Sequence, residues 1–268
     1  MDYIIQIKDF SYKYDEYELF KNISLNIKRG SITTIMGNGN IGRTTLSKIL
    51  CGKISIKADI KIDGKSINKI SNRELRKSVI VVSENNDNIF VCNTVSEQIY
   101  FYLKTKGISK DIIDNKIKDF ICNLGFEYIL NESPNKLSSG EKQILSLFLA
   151  VSSNPKILII DDGLSMIDNN TKDKIFIILK SMNKRGLTII NFTHDSEEIL
   201  KGTNIVLLDK GNVILNEKVE SAFNNVDIFI RNKIKLPFII ELSEKLKYYK
   251  VTNKTYYNLK KLVNDIWE

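Results

Sequence analysis

Ile5 and Ile7, then Ile23, Leu25 and Ile27, alternate with polar neighbours, the period-two pattern of strands that bury one face. After Arg29-Gly30 the pattern changes. Ser31-Ile32-Thr33-Thr34-Ile35-Met36 reads as a strand that runs straight into a glycine-rich segment, and Thr44 to Leu50 reads as a helix stopped by Gly52. Ser71-x-x-Glu74 and Thr94-x-x-Glu97 carry the capping-box spacing that opens helices. From about 94 to 150 the chain is mainly helical in pattern, with Ile113, Ile117, Phe120, Ile121 and Leu124 at helical spacing and Gly125 as the stop. Ile157–Ile160 and Leu187–Phe192 are near-continuous apolar runs separated by the helical stretch Thr171–Met182. Such strands belong to a parallel sheet covered on both faces. The expected fold class is α/β: a core over residues 1–225 with an antiparallel β edge near its start and a helical subdomain inserted at about 94–150. A small C-terminal helical appendage is expected over 226–268, with one helical run opening at Leu236-Pro237-Phe238 and a second spanning Tyr256 to Trp267.

Composition narrows the classes. With 268 residues, 43% of them hydrophobic and only 3 prolines, the chain can bury a sizeable core. No apolar run approaches the roughly eighteen residues needed to cross a bilayer, and the opening Met1-Asp2-Tyr3-Ile4 lacks the basic-then-apolar layout of a secretory leader. Cys51, Cys92 and Cys122 are too scattered for a disulfide framework or zinc site. The net charge of +8 is spread along the chain rather than gathered on one segment, so no nucleic-acid partner is expected. A weak attraction to an anionic membrane face is compatible with it.

Candidate chemistry lies in five places. Gly37-Asn38-Gly39-Asn40-Ile41-Gly42-Arg43-Thr44-Thr45 joins the strand to the helix, where the N–H groups of a glycine-rich turn and a helix start can surround phosphates. Against G-x-x-x-x-G-K-[ST], residues Gly37, Gly42 and Thr44 match, and Arg43 replaces the lysine. Leu137-Ser138-Ser139-Gly140-Glu141-Lys142-Gln143 precedes the apolar run that ends in Asp161-Asp162. Ser165-Met166-Ile167-Asp168 and then Thr193-His194, holding the only histidine, follow. Taken singly, each segment could be an ordinary turn or a solvated strand end.

In this order, over roughly residues 3 to 220, they resemble the ATP-binding cassette (ABC) ATPases, a branch of the P-loop NTPases. The resemblance implies ATP and Mg²⁺ as cofactors. It implies an adenine stacked on Tyr14, with Tyr12 as the alternative, and phosphates held by Gly37, Asn38, Gly39, Asn40, Ile41, Gly42, Arg43, Thr44 and Thr45. Thr44, Asp161 and Glu84 would hold the metal. Asp162, His194 and Glu84 would be the catalytic set, and Ser138, Ser139 and Gly140 would face the nucleotide of a second protomer. Departures from the family pattern fall mostly on one side. Arg43 stands for lysine, a non-conservative exchange for a phosphate ligand. Glu84 stands for glutamine, Asp162 for a glutamate one methylene longer, and Asn40 for glycine, while Gly39 sits where the family usually has asparagine. The signature keeps its form, with Ser139 for glycine and Glu141 for glutamine. Hydrolysis at this chain's own nucleotide site is therefore expected to be weak or absent.

Three further segments are similar to the ATPase subunits of energy-coupling factor (ECF) transporters: Asn85-x-Asp87-Asn88-x-Phe90-Val91 before Thr94-Val95, Ser165-Met166-Ile167-Asp168, and Leu236-Pro237-Phe238…Glu241-Leu242…Lys245-Leu246. That resemblance implies uptake of a vitamin or transition-metal ion at the cytoplasmic face of the cell membrane. The implied partners are a second ABC ATPase subunit of different sequence, a transmembrane coupling protein and a substrate-binding membrane protein. Coupling is expected through residues 84–93. Two alternatives stand beside it: a non-hydrolysing regulatory ABC subunit, and a soluble ABC protein outside transport. ATPase assays separate the former from the motor subunit, and co-purification with membrane proteins separates the latter.

Overall fold

A computed structural model describes residues 2–39, 41–84 and 90–267. Two sheets share the work of placing the candidate site. Strands β1 (Tyr3–Tyr14) and β2 (Tyr17–Lys28) form the antiparallel edge, with Ile5 opposite Ile27 and Ile7 opposite Leu25, so the alternating isoleucines all face inward. The central sheet begins with β3 (Ile32–Gly37), which delivers the glycine-rich turn to helix α1 (Arg43–Leu50). Strands β4 (Ile60–Ile62) and β5 (Lys65–Ser66) extend the first sheet to the order β2-β1-β4-β5. Helix α2 (Asn72–Ser78) leads into β6 (Val79–Ser83), the outer parallel strand of the second sheet.

The helical layer follows as α3 (Val95–Thr105), α4 (Lys110–Ile117) and α5 (Ser139–Ser152). Its apolar faces, including Ile99, Ile113, Phe120 and Phe148, bury together in one cluster. After α4 the chain makes a wider π turn over Lys118–Cys122, which brings the consecutive residues Phe120 and Ile121 both into that cluster. Strand β7 (Ile157–Asp161), helix α6 (Asn169–Lys184), and strands β8 (Thr188–Phe192), β9 (Asn204–Asp209) and β10 (Asn212–Lys218) complete the second sheet in the order β10-β9-β3-β8-β7-β6. All neighbours are parallel except the β9–β10 hairpin. Every residue of β7 and β8 is buried, which is why neither shows alternation in sequence.

Short helices α7 (Val219–Ala222) and α8 (Asp227–Arg231) lead to α9 (Phe238–Tyr248) and α10 (Leu259–Trp267). They pack on the β9 side through Phe223, Phe229 and Ile240 against Ile205 and Leu207. The sequence placed the second helical run from Tyr256, but the helix starts at Leu259. Tyr256 is held outside it, buried, with its N–H donated to Ser243 Oγ at 3.0 Å. The capping box expected at Ser71 is half formed: Ser71 Oγ accepts from the Glu74 N–H, but the Glu74 carboxylate is drawn to Lys65 instead. At Thr94 both halves are present.

Candidate functional site

The glycine-rich turn is fixed by close approaches that only glycine permits. A Cβ on Gly37 would stand 2.1 Å from the Leu208 carbonyl oxygen, and one on Gly42 would stand 2.5 Å from the Phe20 ring. Gly42 also takes φ 83°, the left-handed region that glycine enters without penalty. It is the N-cap of α1 and brings no capping side chain, and the first turn holds no acidic residue. The N–H groups at that helix start therefore have no intrahelical acceptor and face outward with the positive end of the helix dipole. Ile41, with its N–H bonded to the Gly39 carbonyl, is buried beneath the turn.

The two acids at the end of β7 have different surroundings. Asp161 is buried; its Oδ2 accepts from Ser47 Oγ at 2.9 Å, while Oδ1 is buried with no partner among the described residues. Burial pushes its carboxyl up from the ordinary range, with the neighbouring Asp162 charge adding, against hydrogen bonds from Ser47 and Thr44. Asp162 adopts φ 50°, a left-handed conformation that aspartate tolerates better than most residues. Both its oxygens are engaged: Oδ1 lies 2.9 Å from His194 Nδ1, and Oδ2 lies 3.5 Å from an Arg43 guanidinium nitrogen. The other terminal nitrogen, Arg43 Nη1, is buried without a partner among the described residues.

The start of α5 is a separate surface. Ser138 Oγ accepts from the Glu141 N–H, and the Glu141 carboxylate accepts in return from the Ser138 N–H at 2.7 Å. Burial works against the Glu141 charge, but bonds from Tyr128 and Ser138 outweigh it and hold the carboxyl below its usual range. The same bond pushes the Tyr128 hydroxyl up to about 12. A Cβ on Gly140 would lie 2.7 Å from the Met166 carbonyl oxygen, so the 165–168 loop packs backbone to backbone against the helix start. Buried Gln143 ties the two together, donating to Ser165 Oγ at 3.2 Å and accepting from the Met166 N–H at 3.0 Å. Ser165 Oγ in turn points to Glu84 at 3.5 Å.

Known proteins resemble this chain in sequence and fold. The ABC transporter family profile matches residues 20–165. The chain belongs to the ABC transporter family. Its relatives include the energy-coupling factor transporter ATP-binding protein EcfA1 of Mycoplasmopsis synoviae, 30% identical, with 90% of this chain and 92% of the relative aligned. The EcfA1 of Oenococcus oeni is 29% identical over 99% of this chain and 98% of its own length. Among solved structures, cbiO1 of Clostridium perfringens, described as part of the ABC transporter complex cbiONQ, superposes with a TM-score of 0.74 at 27% identity, covering 91% of this chain and all of that one. An ATP-binding cassette dimer in a post-hydrolysis state with ADP and Pi gives a TM-score of 0.69 at 27% identity, over 80% and 98% of the two chains.

Membership of the ABC family brings nucleotide binding with it. In this ABC chain the residues expected around one nucleotide fall into two groups. Gly37–Gly39, Ile41–Arg43, Thr44, Asp161, Asp162 and His194 gather at the C-terminal ends of β3, β7 and β8. Thr45 lies in the first turn of α1, and Tyr14 ends β1 half exposed, its ring edge-on to Tyr12 at 5.2 Å. Ser138, Ser139 and Gly140 stand apart: among the described residues no hydrogen bond or ion pair joins them to the turn. Glu84 is joined to the Ser165 loop rather than to Asp161. Asn40 and the Asn85–Asn88 stretch lie outside the described residues.

Sequence reasoning missed Ser47, Gln143, and the cluster formed by Lys172 with Asp195 (2.9 Å) and Glu198 (3.0 Å). Ser47 sits three residues after Thr44 and so on the same helix face, a spacing that could have pointed to it. Gln143 and Lys172 carry no local signal; only the fold brings their partners close.

Proposed function

We propose that this chain is the ATP-binding subunit of an ECF-type importer for a vitamin or transition-metal ion, acting at the cytoplasmic face of the membrane as the partly degenerate member of a heterodimer. The names and coverage of its relatives support the importer reading. The degenerate reading rests on one observation: the Asp162 carboxylate is engaged at both oxygens by Arg43 and His194. A carboxylate that must position an attacking water needs a free oxygen within hydrogen-bond reach.

The residues present fit a nucleotide with its metal. The uncapped start of α1, the buried unpartnered Arg43 Nη1 and the buried unpartnered Asp161 Oδ1 are the groups that a phosphate and a divalent cation would satisfy. Thr44 and Asp161 would hold Mg²⁺, while Glu84, the third expected ligand, is turned toward Ser165. Mg²⁺ supplies charge neutralisation at the phosphate oxygens. Backbone N–H groups of residues 37–45 bind and orient the phosphates, and Tyr14 offers its ring to the base. Arg43 keeps Nη2 beside Asp162 and offers its unpartnered Nη1 to a phosphate. Asp162 then accepts from His194 Nδ1–H, and the ring, when it carries both protons, donates its Nε2–H to the terminal phosphate. Ser138, Ser139 and Gly140 present their helix start to the nucleotide of the second ATPase subunit, so this chain contributes half of a competent site and one weak site.

Among the described residues no helix is long and apolar enough to cross a membrane. The proposal assigns the crossing to a transmembrane coupling protein and a substrate-binding membrane protein, contacted through the helical layer beside residues 84–93. Magnesium-dependent ATP hydrolysis, measured on the purified chain and on the chain co-expressed with a second ATPase subunit and its membrane proteins, tests the reading. Little activity alone and clear activity in the complex is the expected result. Strong hydrolysis by the chain alone, lost in Asp162→Asn, would make it an ordinary motor subunit.

A further inference from the structure

The backbone that carries His194 is fastened to the C-terminal appendage. Buried Ser196 donates its hydroxyl to the Leu236 carbonyl at 3.2 Å. The Glu197 carboxylate accepts the Phe238 N–H at 2.6 Å. Phe238 is the first residue of α9, and its N-cap, Pro237, has no side-chain cap to offer. Glu197 thus supplies from another element the side-chain acceptor that this helix start lacks. From the opposite side, Lys172 grips Asp195 and Glu198, and Asn191 Nδ2 donates to Glu198 at 2.7 Å. Residues 195–198 are therefore clamped between the sheet and the appendage. Lys235, one residue before the bend, lines the same cavity of about 300 Å³ as Asp162 and His194.

His194 itself is loosely surrounded: its side chain is 66% exposed and meets Asp162 at 2.9 Å. Where the ring stands depends on the backbone that follows it, and that backbone is set by the clamp. We infer that the Leu236–Phe238 bend positions His194, so that displacement of the C-terminal appendage is transmitted through Ser196 and Glu197 to the nucleotide side. Its bearing on ATP rests on the function proposed above. The positioning itself requires no nucleotide.

His194 is the only histidine, so the untagged chain gives a single set of imidazole NMR signals, readable without ligand. Phe238→Pro deletes the donated N–H at a helix position that proline accepts, and the extended backbone of Pro237 (ψ 144°) suits a residue before proline. Phe238→Ala keeps the N–H and removes a ring that is 62% exposed. In Phe238→Pro the His194 signals are expected to move and broaden, and affinity for a fluorescent ATP analogue to fall about threefold to tenfold, the value of one ordinary net hydrogen bond. Phe238→Ala should leave the signals at their wild-type positions. Should Phe238→Pro melt early, Glu197→Ala breaks the same contact, and Glu197→Gln, which still offers a carbonyl oxygen, restores it. Unmoved His194 signals in a folded Phe238→Pro or Glu197→Ala chain overturn the inference. Signals that move in a chain with no affinity for the analogue overturn the proposed function and leave the positioning standing.

Discussion

The end of the central sheet and the start of α5 both present a helix N-terminus, yet they are finished differently. At α1 the cap is a bare glycine, a buried carboxylate oxygen and a buried guanidinium nitrogen lack partners among the described residues, and the second acid is closed off by Arg43 and His194. At α5 the helix start is complete in itself: Ser138 and Glu141 satisfy each other, Tyr128 braces the glutamate, and Gln143 locks the 165–168 loop beneath Gly140. Unsatisfied groups mark a surface that waits for a ligand of its own, and a satisfied, rigid helix start suits a surface presented to something held elsewhere. Loss of catalytic residue types on the first surface is compatible with full function of the second. That is the asymmetry expected of one half of a heterodimer.

Ser138→Arg strikes the second surface and should have the largest effect. Turnover by the assembled transporter is expected to fall about 10²–10³-fold, the cost of losing a positioned transition-state donor, with nucleotide affinity of the isolated chain unchanged. An assembled complex that still turns over normally would break the comparison.

Lys172→Met probes the support of the first surface. It leaves Asp195 and the buried Glu198 without their cation, and denaturant melting should show a loss of about 3 kcal/mol, as for other broken buried pairs. The α5 side should keep its fold until global unfolding.

Acid should move the two surfaces in opposite directions. Glu141 titrates below its unfolded value, so its capping contribution is complete above that value and disappears as pH falls through the folded one. Glu141→Ala should therefore cost about 1 kcal/mol at neutral pH and progressively less in acid. Asp161 titrates above its unfolded value, so its buried charge penalises the nucleotide-free chain at neutral pH, and the penalty is relieved as pH falls through the folded value. Asp161→Asn should be the more stable chain near neutrality and converge on the wild type in acid. Both comparisons need only denaturant midpoints, and the same sign for the two variants would sink the contrast.

The smallest effect is expected from Asp162→Asn in the assembled transporter, less than about twofold on turnover, because on the proposed reading the acid that works there belongs to the other subunit. A loss near that of Ser138→Arg would show that both sites hydrolyse.

Periodicity made strands β1 and β2 and the helical layer legible, because each buries one whole face, and unbroken apolar runs did the same for β7 and β8, which bury both. The hairpins β4–β5 and β9–β10 went unread, although Asp63-Gly64 and Lys210-Gly211 sit at their turns with φ 51°, 77°, 45° and 80°. Paired left-handed residues are a turn signal, and Asp-Gly is its usual spelling. For the site, residue order was enough to bring together Gly37–Gly39, Ile41–Arg43, Asp161, Asp162 and His194. It could not show that Asp162 is already occupied, that Glu84 leans toward Ser165, or that Glu197 reaches Phe238. Those contacts join residues 32, 81 and 41 positions apart. No local pattern encodes partners at such separations.

Phe20 has a consequence for which ligands can be accommodated. It is the cross-strand partner of Tyr12, next to Tyr14 at the proposed base shelf, and its ring is also the surface against which Gly42 closes. One hairpin therefore touches both ends of the site. On the proposed placement of base and phosphates, their span is built in as a fixed gauge rather than left to two elements that can drift independently. A molecule carrying both groups at the right separation is measured along its whole length, whereas a free base or a free phosphate meets one end alone and gains nothing from the other.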